Sequence, residues 1–395
     1  MRYGYFDEKN KEEGVAVSDK PFVSIVNPIR NTVRTLEKCL QSLVELDYPK
    51  EKLEFIFADG GSTDSTVEII RQWQKRYPQI LLIAVANCKS PGQARNAALR
   101  IAKGDYILFT DGDCVVRRDW VNKILERFFK DKKIGMVGGE ILTLRTDNNN
   151  DVEAYCEETK FLSVSGRCNV TSAGYYPSIK KDLPHEVNGN IHSAFFATAN
   201  AAVSKEAVDA VGREFWHEIT NEDVDFSIRI LKAGFRLYFE PAAIVEHMHR
   251  VTLKDYCRQL FGYGFGHPLP VKAHTKKVFE ICLQYFGYIY IPIPCFIKGV
   301  LYIGNFHLMH IFGALFLIRF IGSLFIASLF NTTLLVLGLF FVLFSVLYFW
   351  PALALKPRSK FLRWAKIRYI SNWALMRGGF KGMKQWGVFY LESSW

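Results

Sequence analysis

YILFTDGDC, residues 106–114, is an apolar run that ends in two aspartates one residue apart. A Tyr-Ile-Leu-Phe-Thr stretch suits a buried strand, and Asp111, Gly112 and Asp113 supply the turn that stops it. Two carboxylates at a strand's end can hold a hard divalent cation, which in turn neutralises a diphosphate. The competing reading gives the same aspartates a turn or helix-capping role. A bare Asp-x-Asp also arises by chance, and Asp223-Val224-Asp225 is a second instance. The strand before Asp111 is what sets the first one apart.

Outward from this stretch the same rhythm repeats. Strands FVSIVN (22–27), LEFIFA (53–58) and ILLIAV (80–85) alternate with helical spacing near 33–46, 64–77 and 92–103, with Asp64 opening the second helix and Gly104 closing the third. That alternation predicts βαβ units and an α/β fold with a mostly parallel sheet. Ligands of such sheets gather at the carboxyl ends of the strands, so the residues just after each run are the site candidates. Residues 143–192 lose the periodicity and read as a long surface excursion. Order returns with HSAFFATANAAVS (192–204), a helix near 205–211 and NEDVDFSIRILKAG (221–234), where Val224, Ile228 and Leu231 share one helical face.

The 395-residue chain carries 50 Lys and Arg against 39 Asp and Glu, and the surplus is concentrated: residues 251–395 hold 16 basic and three acidic side chains. The long apolar runs lie in the same third. This disfavours a water-soluble nucleic-acid binder and favours a membrane-bound protein with basic flanks. Within a membrane region at 266–355, residues 306–330 and 333–355 have spanning length and predict a hairpin with both ends on one side. The run 278–304 contains Glu280, Gln284, Pro292, Pro294 and Lys298, and is expected to be interfacial or re-entrant. Basic flanks on both sides of the apolar region argue for an even number of spans, with the flanks cytoplasmic. The tail at 356–395 interleaves its basic residues with Trp364, Ile367, Ile370 and Trp373, and is expected at the headgroup boundary of anionic membrane lipids. Eight cysteines without a CxxC pair, and a polar segment at 1–20 expected to be flexible and lacking a signal core, point to a cytoplasmic start.

VSIVNPIRN (23–31), EFIFADGGSTDST (54–66), GQARNAALRIAKGDYILFTDGDC (92–114), NEDVDFSIRILKAGFRLYFEP (221–241) and VEHMHR (245–250) follow one another in an order and at separations that resemble a family 2 glycosyltransferase with the GT-A fold. The resemblance covers about residues 21–265. It implies that Pro28, Arg30 and Asn31 form the first nucleotide loop, with Arg30 where tyrosine is more usual. Asp59 then hydrogen-bonds the base, unless it only makes an Asx turn before Gly60 and Gly61. Arg95, beside Asn96, faces the phosphates or is plain helix surface charge. Asp111 and Asp113 hold the metal, and His247 corresponds to a third ligand. His249 points to the same face of a strand, so sequence alone does not choose between the two. Glu222 and Asp223 are the catalytic pair, with Asp223 the general base toward an acceptor hydroxyl. Their alternative is a first-turn role, with Thr220 and Asp223 spaced as a capping pair. Arg258 and Gln259 open RQLFGYGFG (258–266), similar in place to an acceptor-side QxxRW segment but lacking its Trp, which weakens a claim of processive synthesis.

The function so implied is a membrane-anchored, inverting glycosyltransferase dependent on a divalent metal, Mn2+ or Mg2+. It moves a sugar from a nucleotide-diphosphate donor to a hydroxyl of a lipid-linked saccharide or surface glycan at the cytoplasmic face. A polyprenyl-phosphate sugar synthase is the nearest alternative, but its acceptor is already anionic and needs no base. DGDCV also fits the nucleophile loop of haloacid-dehalogenase-like phosphatases, with Asp111 attacking phosphorus; that leaves the GGSTD loop and Glu222-Asp223 unexplained. A noncatalytic membrane scaffold predicts that Asp113→Ala is harmless. Asn169-Val170-Thr171 fits a glycosylation sequon but would not meet the machinery in the cytoplasm. Arg319, within an apolar run, either contacts a lipid phosphate or snorkels.

Overall fold

A computed structural model describes residues 20–168, 170, 172–176, 195–275, 278–284, 288–294, 297–325 and 332–392. The polar lead-in up to residue 19, the ends of the sequon and the link between the two long apolar runs lie outside the described residues. The alternation read from the sequence is present as β1 (Val23–Ile29), α1 (Val33–Val44), β2 (Leu53–Asp59), α2 (Thr66–Gln74), β3 (Ile80–Ala84), α3 (Pro91–Ile101) and β4 (Tyr106–Phe109). There follow β5 (Cys114–Val116), α4 (Trp120–Lys130), β6 (Ile134–Leu144), α5 (Asp151–Glu158), α6 (Val164–Cys168), β7 (Gly174–Tyr176), β8 (Ala201–Ser204), α7 (Lys205–Ala210), α8 (Glu222–Lys232) and β9 (Arg236–Met248).

Among the described residues these strands form one sheet in the order β3-β2-β1-β4-β8-β6-β9-β5, with β7 paired to β9. The first four strands are parallel, as is the β6–β9 pair, whereas β8, β5 and β7 run antiparallel to their neighbours. β1 and β2 are buried almost throughout, so their sequences are continuous apolar runs rather than alternating ones. Helices cover both faces. One core packs Leu36, Leu40, Trp120 and Phe128 under the sheet, and the other packs Ala98, Leu99, Phe215 and Phe226 over it. Gly104 has no room for a side chain: a Cβ there would sit 2.5 Å from the Ser24 amide nitrogen.

One expectation is corrected. Residues 143–192 are not a featureless excursion, because the end of β6, α5, α6 and β7 fall inside it. Asn150 caps α5 through its side chain, and the buried Glu153 carboxylate accepts the amides of Thr146 and Asp147. The remainder of that stretch, 177–194, lies outside the described residues. The run 278–304, expected to be interfacial or re-entrant, forms β10 (Val278–Gln284), β11 (Tyr288–Pro294) and β12 (Gly299–Ile303) after α9 (Leu253–Gly266) and α10 (Pro268–His274). Pro292 and Pro294 forbid a helix there, and they sit in β11, an edge strand, where a missing N–H costs least.

The two apolar runs form α11 (Asn305–Phe325) and α12 (Thr332–Ala354), both long and apolar enough to cross a membrane and both largely uncovered by the protein. The basic tail is α13 (Phe361–Trp386), followed by β13 (Phe389–Leu391), which completes a second sheet in the order β11-β10-β12-β13. Here a further reading is corrected. Trp364 and Ile367 pack against Tyr155, Tyr256, Leu260 and Ala352 inside the protein instead of presenting rings to headgroups. α13 lies so close on α9 that a Cβ at Gly264 would overlap the Leu375 carbonyl, and one at Gly378 the Phe261 carbonyl.

Candidate active site

The carboxyl ends of β1, β2 and β4 open on one side of the sheet, and each loop there is held by its own side chains. Asp59 accepts hydrogen bonds from the Gly61 and Ser62 amides and, at 2.5 Å, from Ser62 Oγ. It therefore does make the Asx turn. Asn31 adopts a left-handed backbone, φ 54°, which Asn tolerates better than most residues. Its amide donates to Ser62 Oγ and its Oδ1 accepts from the Thr63 amide at 2.7 Å, so the β1 and β2 loops are laced together. Pro28 is half-buried at the end of β1, and Arg30 is exposed.

The centre of the site is Arg95, carried on α3, whose N-terminus is capped by Ser90 and begins with Pro91. Arg95 is buried, and its two Nη atoms donate to Asp111 Oδ1 and Glu222 Oε1, each at 2.8 Å. It is neither helix surface charge nor directed at open solvent. It joins the Asp-x-Asp loop to the start of α8, its own contact with Glu222 spanning 127 residues of sequence. Asn96 fixes the same helix to the approach of α8 by exchanging two hydrogen bonds with the Phe215 backbone, 2.7 and 2.9 Å.

Asp223 follows Glu222 in the first turn of α8, and its Oδ1 accepts from the Val224 amide at 2.8 Å. The Thr220–Asp223 capping pair does not form: Asn221 is the N-cap, at φ 55° and without a side-chain capping bond. Burial, reinforced by the neighbouring Glu222 charge and opposed by Arg95, pushes the Asp223 carboxyl up to about 7. A carboxylate poised near neutrality suits a general base better than one of ordinary acidity. Asp111 is likewise raised, chiefly by burial, with Asp113 adding and Arg95 and His247 opposing.

Asp113 turns away from Arg95. Its Oδ1 lies 3.4 Å from His247 Nε2, and Asp113, Cys114 and His247 offer donor atoms within 4.8 Å of one another. His247 Nδ1 is buried without a hydrogen-bond partner. A carboxylate, an imidazole and a thiol in this spacing fit a divalent cation. Asp111 does not share that group. His249 turns elsewhere: its Nε2 meets Thr143 Oγ1 at 2.9 Å and its ring abuts Phe161, while burial, then His247, pushes its pKa down to about 3. Geometry thus separates two histidines that a strand's periodicity could not.

Arg258 and Gln259 pair within their own helix, with Asp255 at 2.5 Å and Tyr263 at 2.9 Å. It is the other end of α9 that meets the turn before α8, for a Cβ at Gly266 would overlap the side chains of Asn221 and Thr220. The second Asp-x-Asp proves structural on its Asp225 side: that carboxylate binds Arg229 and His274, at 2.8 and 2.9 Å. Sequence reasoning missed Arg95's double clamp and the position of Cys114. The first had no local signal; the second sat beside a motif already singled out.

Glycosyl transferase family 2 matches residues 24–212. Dolichyl N-acetyl-alpha-D-glucosaminyl phosphate 3-beta-D-2,3-diacetamido-2,3-dideoxy-beta-D-glucuronosyltransferase of Methanococcus voltae is 24% identical over 71% of this chain and 83% of its own. Glycosyltransferase AglE of Haloferax volcanii is 27% identical over 63% and 74%. Mannosyltransferase PcManGT from Pyrobaculum calidifontis, solved in complex with GDP-Man and Mn2+, is 21% identical, with 68% of this chain and 69% of that one covered at a TM-score of 0.46. Residues 24–212, a little under half of the chain, carry a glycosyl transferase family 2 domain, and the protein is a glycosyltransferase.

Proposed function

We propose that the protein moves a sugar, with inversion, from a nucleotide-diphosphate donor to a hydroxyl of a lipid-linked saccharide or surface glycan, with Asp223 as the general base. The observation that carries this reading is the Asp111–Arg95–Glu222 clamp, which ties the loop after β4 to the helix that presents Asp223. Asp223 takes the proton of the acceptor hydroxyl as that oxygen attacks the anomeric carbon and the nucleoside diphosphate departs. Glu222, held by Arg95, keeps Asp223 basic enough to accept that proton, and the Asn31, Asp59 and Ser62 lacing presents a rigid floor to the nucleotide. Pro28 and Arg30 border that floor. Asp113 and His247, with Asp111 alongside, would hold a divalent cation, Mn2+ or Mg2+, whose charge would neutralise the leaving diphosphate.

The Methanococcus voltae relative bears the name of an enzyme acting on a dolichyl phosphate-linked sugar, which supports a lipid-linked saccharide acceptor over a bare polyprenyl phosphate. α11 and α12 cross the membrane as a hairpin, with the catalytic domain and the basic residues of α13 on the cytoplasmic side, and α9, bearing Arg258 and Gln259, borders the acceptor path. The test is a panel of nucleotide sugars with Mn2+ or Mg2+, scored for transfer to lipid-linked saccharide. One donor is expected to be used by the wild type and not by Asp113→Ala. Binding of no donor at all would overturn the reading.

A further inference from the structure

β5 and β9 pair antiparallel with Cys114 directly opposite His247, so the two side chains leave the same face of the sheet. Asp113 Oδ1 lies 3.4 Å from His247 Nε2 and 4.0 Å from Cys114 Sγ, and all three donor atoms fall within 4.8 Å of each other. Donors bound tetrahedrally at about 2.0–2.3 Å are themselves roughly 3.3–3.8 Å apart, so this set closes on an ion when its widest pair approaches by about 1–1.5 Å. His247 is 8% exposed, and its Nδ1 has no hydrogen-bond partner to hold the ring in another role.

We infer that Cys114 is a sulfur donor to the cation bound by Asp113 and His247, and that it biases the site toward a borderline divalent ion, Zn2+ or Co2+, over Mg2+. The inference rests on the reading of Asp113 and His247 as metal ligands. Mg2+ takes oxygen donors in a near-octahedral shell, whereas carboxylate, imidazole and thiolate together suit Zn2+ and Co2+. On binding, the S–H bond breaks, the sulfur electron pair goes to the ion and the proton leaves to water; no oxidation state changes. Asp111, on Arg95, stays outside this donor set.

The test uses the full chain in detergent with metal alone, without donor or acceptor. Titration with Co2+ is expected to raise a near-ultraviolet sulfur-to-cobalt band in the wild type and none in Cys114→Ser. Absence of the band from the wild type, or its persistence in the variant, overturns the inference. Calorimetry gives a second readout: Cys114→Ser should weaken Zn2+ binding at least about ten-fold and Mg2+ binding less than about two-fold. Equal losses for the two ions also overturn it, because the thiol would then act only through packing. Mg2+ binding without a cobalt–sulfur band defeats this inference alone; failure of the wild type to bind any of these ions defeats the metal reading as well.

Discussion

Two regions of the molecule are joined in opposite ways. Around Arg95, segments far apart in sequence are held by charge: one buried guanidinium between Asp111 and Glu222. Where α13 lies on α9, segments equally distant are held by shape, with Gly264 and Gly378 admitting the backbone carbonyls of the facing helix. A charge-built junction responds to neutralisation and tunes its neighbours. A shape-built junction responds to added volume and tunes nothing. The first therefore belongs at a reactive site, and the second suits the attachment of a largely apolar module to a catalytic domain.

The contrast breaks most sharply at Asp223. Asp223→Asn keeps the volume and removes the base, and should lower the transfer rate by about 10²–10⁴-fold while donor affinity stays within about two-fold; retained transfer would show that charge at this position is not chemical. Arg95→Met should cost about 3 kcal/mol in denaturant unfolding, the low end for a broken buried pair because Asp111 is 28% exposed. Unchanged stability in Arg95→Met, which keeps most of the volume and removes the charge, would place Arg95 with the shape-built region instead. Gly264→Val should destabilise by about 1–3 kcal/mol through overpacking against Leu375, with donor binding by the folded fraction unchanged. Arg258→Ala, at an exposed pair on the same helix, should leave the thermal midpoint where it was.

How much could be read in advance follows from the range of each interaction. β1 to β4 and the helices between them are local patterns, and apolar runs and turn residues placed them within a few positions. The nearness of Asp113 to His247 was legible because Asp113 immediately precedes β5 and His247 lies on β9, its partner strand, whereas Asp111 joins Arg95 instead. Arg95's partners were not, since no local pattern encodes a contact across 127 residues. The buried face of α13 was misread for a different reason. Burial in protein and burial in lipid select the same side chains, so Trp364 looked like a headgroup anchor when it is a core residue. The prolines of β11 carried the better clue, excluding a helix without announcing a sheet edge.

The central claim is that burial, with Glu222 adding to it and Arg95 opposing it, sets the basicity of Asp223, and the pH dependence of turnover tests it most directly. A base must be deprotonated to act, so kcat should rise with pH through about 7 and level off above it. Glu222→Gln removes a negative charge that favours the protonated carboxyl, so the rise should move to lower pH. A rise that stays in place or moves to higher pH in Glu222→Gln would contradict the account.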